Sequence, residues 1–238
     1  ISVQGFFVPA TSKLHGRTTK LLVDEFDVSA YFDQATVRRS CDLSETQTFG
    51  DDWKERGVPG LVDGSMAISG FFDSAAGGAD AIVRAALADA DGQVVTRGYS
   101  LAIGSLVDVL QAAETNFDES VNENEVNRLS ADFVADGYVD LGVSLHDLTS
   151  ETTTGQFAPV NETENTTGGG IGTLHVTVFG GSGSPTISIL HSTSTSTSAV
   201  LGTFTALTGV GAQRLTVTGT VKKILRARID TAGSPGTG

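Results

Sequence analysis

Apolar and polar residues alternate through most of the chain, a period of two that predicts strands. In 35–43 (ATVRRSCDL), Val37, Arg39 and Cys41 oppose Arg38, Ser40 and Asp42. In 65–72 (SMAISGFF), Met66, Ile68 and Gly70 oppose Ala67, Ser69 and Phe71. Residues 125–135 set Leu129, Ala131 and Phe133 against Arg128, Ser130 and Asp132, and 138–145 continue as a further strand. Short extended segments are expected at 20–26 and 28–32. The run 99–111 (YSLAIGSLVDVLQ) fits a buried strand or a short helix equally by period and is read as a strand.

One segment breaks the pattern. Residues 79–90 (ADAIVRAALADA) carry Ile82, Val83, Ala86 and Leu87 as one stripe, with Asp80 near the N-terminal end and Gly92 beyond the last turn, which predicts an amphipathic helix. Residues 44–63 (SETQTFGDDWKERGVPGLVD) mix three Gly and one Pro with both signs of charge and read as a long loop or an extended hairpin. Loops of this length in compact domains are usually functional. The acidic stretch 116–127 (NFDESVNENEVN) reads as a solvated loop.

Farther along, 172–179 (GTLHVTVF), 186–190, 200–206, 213–217 and 221–228 repeat the alternation at the spacing of a small β-sandwich. Between the two regions, TSETTTGQFAPVNETENTTGGGIG is polar and rich in Gly and Thr, the composition of a linker. The chain therefore divides into a unit at 1–150, a linker at 151–171 and a second unit at 172–238.

Composition agrees with a mainly β protein: 29 Gly against 5 Pro, 1 Met and 1 Trp in 238 residues. Apolar runs of only a few residues predict no membrane-spanning helix, and no membrane partner is expected. The opening ISVQGFF lacks the basic and long apolar regions of a secretion signal. Cys41 stands alone, so no disulfide can form within the chain, and it is expected to be a small buried hydrophobe.

Charge separates the units further. Net charge is −13, yet residues 1–164 hold 10 basic and 27 acidic residues while 165–238 hold 5 and 1. The acidic part should repel phosphates, which argues against ordinary nucleic-acid binding but suits a surface past which DNA must travel without sticking. Lys222, Lys223, Arg226 and Arg228, expected on the terminal strand, more often guard a strand edge than mark a binding patch.

No reaction is selected by the residues. The four His, at 15, 146, 175 and 191, fall in no catalytic pattern, and there is no GxSxG, HExxH or GxxxxGK[ST] sequence. Asp89-Ala90-Asp91-Gly92 starts like a calcium loop but lacks its later ligands. His175 and His191, on neighbouring expected strands, would still want a third metal ligand. Asp51/Asp52, Asp118/Glu119 and Glu123/Glu125 are carboxylate pairs with no further support for glycosidase chemistry. The sequons at Asn161 and Asn165 lie in a Thr-rich stretch where chance matches are expected. No enzyme activity, cofactor or metal is expected.

The order of segments in the first unit resembles the tail tube (major tail) proteins of long-tailed bacteriophages. The matching positions are Asp27, Val28 and Ser29; then Thr48, Phe49, Gly50 and Asp51; then Gly60, Leu61, Asp63, Gly70, Phe71, Phe72 and Asp73. In the second unit, GTLHVTVFGGSGSPTISILHS and GTVKKILRARI resemble an appended domain of such proteins. The resemblance implies a β-sandwich or barrel-like domain with a flanking helix, forming homo-hexameric rings that stack into a hollow tube for DNA. It further implies tape-measure and tail-terminator proteins as partners, and a virion location after assembly in the host cytoplasm. The loop would reach the neighbouring ring through Thr48, Phe49, Asp51, Trp53, Lys54, Arg56 and Pro59. Acidic residues on alternate positions of the inner strands would face the lumen, and the second unit would project outward. Two other readings compete: a second unit that binds cell-surface glycans, although it offers only Phe179 and Phe204 as aromatic platforms, and another virion component such as a head decoration or tail-terminator protein.

Overall fold

The computed structural model describes residues 16–46, 55–75, 77–89, 92–121, 123–137, 139–151, 153–162, 165–180, 183–194 and 197–230. Among these the protein is mainly β, with one α-helix. After a 3-10 turn at Gly16–Thr18 come β1 (Lys20–Val23), β2 (Phe26–Asp27), β3 (Phe32–Thr46) and β4 (Glu55–Phe71). Next are α1 (Ala79–Ala88), β5 (Gln93–Gly98), β6 (Leu106–Ser120), β7 (Arg128–Ala135) and β8 (Asp140–Val143). These eight strands form one antiparallel sheet in the order β2-β1-β5-β6-β7-β4-β3, with β8 also on β6.

Chain length forces this sheet to curl. Its first and last strands, β2 and β3, are joined only by residues 28–31, which span at most about 17 Å. Six strand spacings of about 4.8 Å would hold the edges of a flat sheet about 29 Å apart. The connection stitches the two edges together: Val28 N–H donates to Leu21 O (3.0 Å) and Phe71 N–H to Tyr31 O (2.8 Å). Gly70 is required at that seam, because a Cβ there would lie 2.2 Å from Tyr31 O. Asp108 of β6, almost fully buried, pairs with both Arg97 of β5 and Arg39 of β3, and Arg39 Nε also donates to Val139 O at 3.1 Å. One carboxylate thus ties strands from distant parts of the sheet.

Alternation sorts the side chains as the sequence expects. Met66, Ile68, Val95, Leu110, Leu129, Ala131 and Phe133 face inward and are buried together with Ala79, Ile82, Val83 and Ala86 of α1. Leu87, expected in the helical stripe, is about half exposed, so the buried stripe ends one turn earlier on that side. Arg84 leaves the helix to meet Asp80 (2.6 Å) and Glu119 (3.2 Å) and lies over the Phe117 ring.

The second unit comprises β9 (Gly155–Gln156), β10 (Val160–Asn161), β11 (Gly170–Val176), β12 (Thr186–Ser194), β13 (Thr197–Thr203), β14 (Gly211–Val217) and β15 (Ile224–Asp230). One layer runs β10-β15-β12-β13, with β9 also on β15; the other is the pair β11-β14. The layers touch closely at Gly172, where a Cβ would meet Ile189 Cδ1 at 2.4 Å. Within 151–171, read as a linker from its composition, β9 and β10 both pair with β15.

Four local expectations change. β5 (QVVTRG) was not anticipated, because its short apolar core is followed by Thr and Arg, yet four of its first five residues are buried. Residues 99–105 precede β6 instead of belonging to a strand, and β6 continues through Ser120 into the stretch read as a solvated loop. Cys41 is exposed, because β3 has by then run past the strands that would cover it. His175 and His191 do not meet, since β11 pairs with β14 and not with β12.

Candidate assembly surfaces

Three features of the first unit bear on its contacts: two are bare, and the third is taken up by the second unit. The first is a ribbon. β4 pairs with β7 only over Ser65–Phe71, whereas β3 and β4 pair with each other out to Thr46 and Glu55. Two strands thus project about 25 Å beyond the sheet. A two-stranded ribbon is marginal in water by itself, and at its base Leu61 is 83% exposed beside a half-exposed Val62.

The expected contact residues relate to this ribbon unevenly. Arg56 and Pro59 lie on its β4 arm, in register with Glu45 and Leu43. Thr48, Phe49, Asp51, Trp53 and Lys54 lie outside the described residues. The reading of 44–63 as a loop or extended hairpin resolves to a hairpin over its described part, with register shifts near Cys41/Leu43 and Ser44/Glu45.

The second feature is the outward face of β3, β4, β7 and the second half of β6. Cross-strand register aligns three rows on it: Arg38, Ser65, Val134 and Ala113; Thr36, Ala67, Asp132 and Asn116; Gln34, Ser69, Ser130 and Asp118. Eleven of these twelve side chains are Ala or polar, Val134 being the exception, and none is aromatic. Asp132 and Asp118 stand in the open, each within reach of Asn116 Nδ2, which donates to Asp118 at 2.8 Å and Asp132 at 3.4 Å. Asp63, opposite Ser40, extends the same face onto the ribbon. Arg128, at its far end, is paired with Asp33 (2.7 Å) and stacked on Phe71. The face is small, polar and slightly acidic.

Sequence alternation could have found this face. In these strands the residues alternating with the core positions are mostly Ser, Ala, Thr, Asn or Asp, with Arg38, Gln34 and Val134 the exceptions, and register then brings them side by side.

The third feature is the joint between units, which covers the other half of the same outward face. Leu22, Val107 and Val109 cluster there with Leu101 and Leu148. His175 on β11 reaches across to the first unit: its Nδ1 donates to Asp24 O (2.7 Å), and its Nε2 meets Thr96 Oγ1 (2.8 Å). A carbonyl only accepts, so the proton sits on Nδ1 and Thr96 supplies the hydrogen bond to Nε2. Burial lowers the His175 pKa, against the opposing pull of the Asp24 carbonyl. Asp24, held at positive φ in the β1-β2 turn, has its carboxyl pushed up to about 6 by burial, even though it accepts from Val94 N–H. Arg214 of β14 completes the joint near Gln111 (3.4 Å) and Asp140 (3.8 Å).

The remaining candidates disperse. Lys222 and Lys223 precede β15; Arg226 contacts Gln156 and Arg228 pairs with Asp230 at 2.5 Å. Phe204 is buried and cannot serve as a glycan platform. His191 Nδ1 accepts from Lys222 N–H at 3.3 Å, and His146 packs edge-on to Phe157. Sequence reasoning missed Glu114, whose carboxylate is buried inside the curled sheet with neither oxygen hydrogen-bonded, its pKa pushed up to about 8 by burial. Its place on the same side of the strand as Leu110 and Ala112, four and two residues earlier, was the available signal.

No family model matches the sequence, and no curated protein matches it. Among solved structures, similarity is found to a chain in the virion of a native gene transfer agent particle, at 12% identity and TM-score 0.44, covering 54% of this chain and 98% of that one. A chain from the tail of an empty gene transfer agent particle, refined with C6 symmetry, is 12% identical at TM-score 0.40, covering 52% and 96%. The Dit protein of SPP1, described as a hub of the adsorption apparatus in phages of Gram-positive hosts, is 11% identical at TM-score 0.39, covering 89% of this chain and 98% of its own.

Proposed function

We propose that this protein is a structural, non-catalytic subunit that self-assembles into stacked rings forming a tail tube for DNA. The observation that carries the reading is the bare outward face of β3, β4, β7 and β6, whose side chains are small and polar, with Asp118 and Asp132 exposed. A wall of that chemistry offers phosphates neither a cation cluster nor an aromatic platform, and like charge keeps them from settling.

Two further features fit open-ended stacking. The ribbon reaches well beyond the sheet with Leu61 and Val62 exposed at its base, as a heterologous contact between rings requires. Among the described residues β3 forms a ladder only with β4, so beyond the seam at residues 28–31 the outer edge of the ribbon can meet a neighbour. The sequence resemblance to tail tube proteins supports the same reading, and a virion location, with tape-measure and tail-terminator partners, follows from it.

Negative-stain electron microscopy of the concentrated protein tests the proposal. Hollow tubes or rings of regular repeat are the expected result, lost in Leu61→Asp/Val62→Asp. A protein that stays single in sedimentation at every concentration, and that is absent from tails when particles are labelled, would contradict it.

A further inference from the structure

The curled sheet has two ends of unlike chemistry, and β6 runs from one to the other. At the end where the ribbon leaves, Arg97 and Arg39 share the single carboxylate of Asp108. Two guanidinium groups on one carboxylate leave a surplus positive charge at this rim, and Arg39 is exposed. Asp63 and Asp140, next in register, fall on the outward side of the sheet. Register places Leu106 and Leu141 on the side of β6 and β8 that Asp108 faces, and they are 57% and 66% exposed. Val62, two residues along β4 from the Gly64 that opposes Arg39, is half-exposed. Tyr99, also half-exposed, has its ring centroid 5.0 Å from the Arg97 guanidinium. The rim is thus a basic centre ringed by uncovered apolar side chains, the composition of a contact surface.

At the other end β6 turns into β7 through 121–127. Val121 and Val126 are 70% and 66% exposed there, and Glu123 and Glu125 stand exposed between them. Asp118, at the end of β6, is exposed as well. Arg84 and Arg128 beside this turn are already paired, with Asp80 and Glu119 and with Asp33, so the turn keeps its negative charge. Acidic residues alone would make it a solvated loop. Two valines held out among them match the apolar ring at the opposite rim.

We infer that the acidic turn of one copy seats on the basic rim of a second copy, with Val121 and Val126 against Leu106 and Leu141, and Glu123 or Glu125 reaching Arg39. The inference rests on the tube reading and names the faces that meet in it. Because the two faces lie at opposite ends of one sheet, the contact is heterologous and repeats without closing. Opposite charge on the two faces also sets one polarity, since rim against rim or turn against turn brings like charges together. The base of the ribbon, with Leu61 and Val62 exposed, borders the same rim and flanks the seated turn.

Two charge-changing variants of the full chain test the contact by sedimentation and electron microscopy. Leu106→Asp/Leu141→Asp sets carboxylates against the acidic turn, and Val121→Lys/Val126→Lys sets ammonium groups against the arginines. Each alone should need at least about tenfold more protein to stack, and an equimolar mixture should recover to within about threefold of the unaltered chain, because the altered rim now matches the altered turn. All four side chains are more than half exposed, so each variant should keep the denaturation midpoint of the unaltered chain. As a second measurement that needs no loss of assembly, Cys41→Ser/Val126→Cys/Leu141→Cys should give a ladder of linked chains on oxidation, whereas either single replacement in the Cys41→Ser background gives at most pairs. Stacking by either charge variant equal to that of the unaltered chain, a mixture no better than its components, or tubes that give no ladder overturns the contact and leaves the tube reading standing. An unaltered chain that never associates overturns the tube reading and the contact together.

Discussion

The interior of the curled sheet and the interior of the second unit are built from the same alternating strands, yet one is closed and the other open. In the first unit Phe133, Met66, Ile68 and Leu110 have essentially no solvent contact, because the sheet wraps around them and α1 packs against what remains. In the second, only a few residues such as Leu190 and Phe204 are fully enclosed, and Leu174, Ile187 and Leu225 are only partly buried around an open pocket. Alternation provides an apolar face; a closed core also requires an element of matching width opposite it.

The sharpest test of that contrast is truncation on each side. Phe133→Ala should cost about 3–5 kcal/mol in chemical denaturation, since tight packing cannot collapse around the lost ring. Leu225→Ala, at the cavity wall, should cost about 1–2 kcal/mol, because little new void is created. Equal costs would remove the contrast.

Next in size is the ionic tie within the curled sheet. Asp108→Asn leaves Arg97, largely buried, and Arg39 without their shared carboxylate. A loss of about 3 kcal/mol is expected, with faster exchange at the β3 amides near Arg39 as the local readout.

Glu114 sets the pH dependence of the same interior. Folded, it holds its proton to about 8; unfolded, it releases it near 4.5. The folded state therefore binds more protons between these values, and this group's contribution to stability falls as pH rises from about 4.5 to 8. Glu114→Gln should flatten that decline and add about 1–3 kcal/mol above pH 8.

The smallest effect belongs to the joint. His175 is neutral in the folded protein because burial lowers its pKa. Its contribution is complete above the ordinary imidazole value of about 6.5 and is lost as pH falls through its lowered folded value. His175→Ala should remove this acid sensitivity and cost about 1 kcal/mol, with the β11 amides losing protection more than those of β7.

Much of this was legible in the residues. Alternation at 125–135 assigned Leu129, Ala131 and Phe133 to the core and left Ser130 and Asp132 outside, as the structure has them. Helix α1 ends two residues before its expected limit at 90. What escaped depends on distant partners. β5 is a strand because β1 and β6 flank it, not because QVVTRG alternates convincingly. β6 persists through Asn116–Ser120 because β7 pairs with residues that are polar and acidic. Cys41 is exposed because the ribbon leaves the sheet before reaching it, a fact of register rather than hydropathy. The interaction residues proposed at 48–54 stand beyond the described ribbon, and of that set only Arg56 and Pro59 have a described backbone position.

In the proposed tube the bare polar half of the outward face lines the channel, while the second unit covers the other half. A helical reconstruction of the assembled protein by cryo-electron microscopy measures this arrangement directly. Ala67, Ser130 and Asp132 are expected at the innermost radius and the β12-β15 layer at a larger one. Assemblies in which that face is buried between subunits, or points away from the axis, would contradict it.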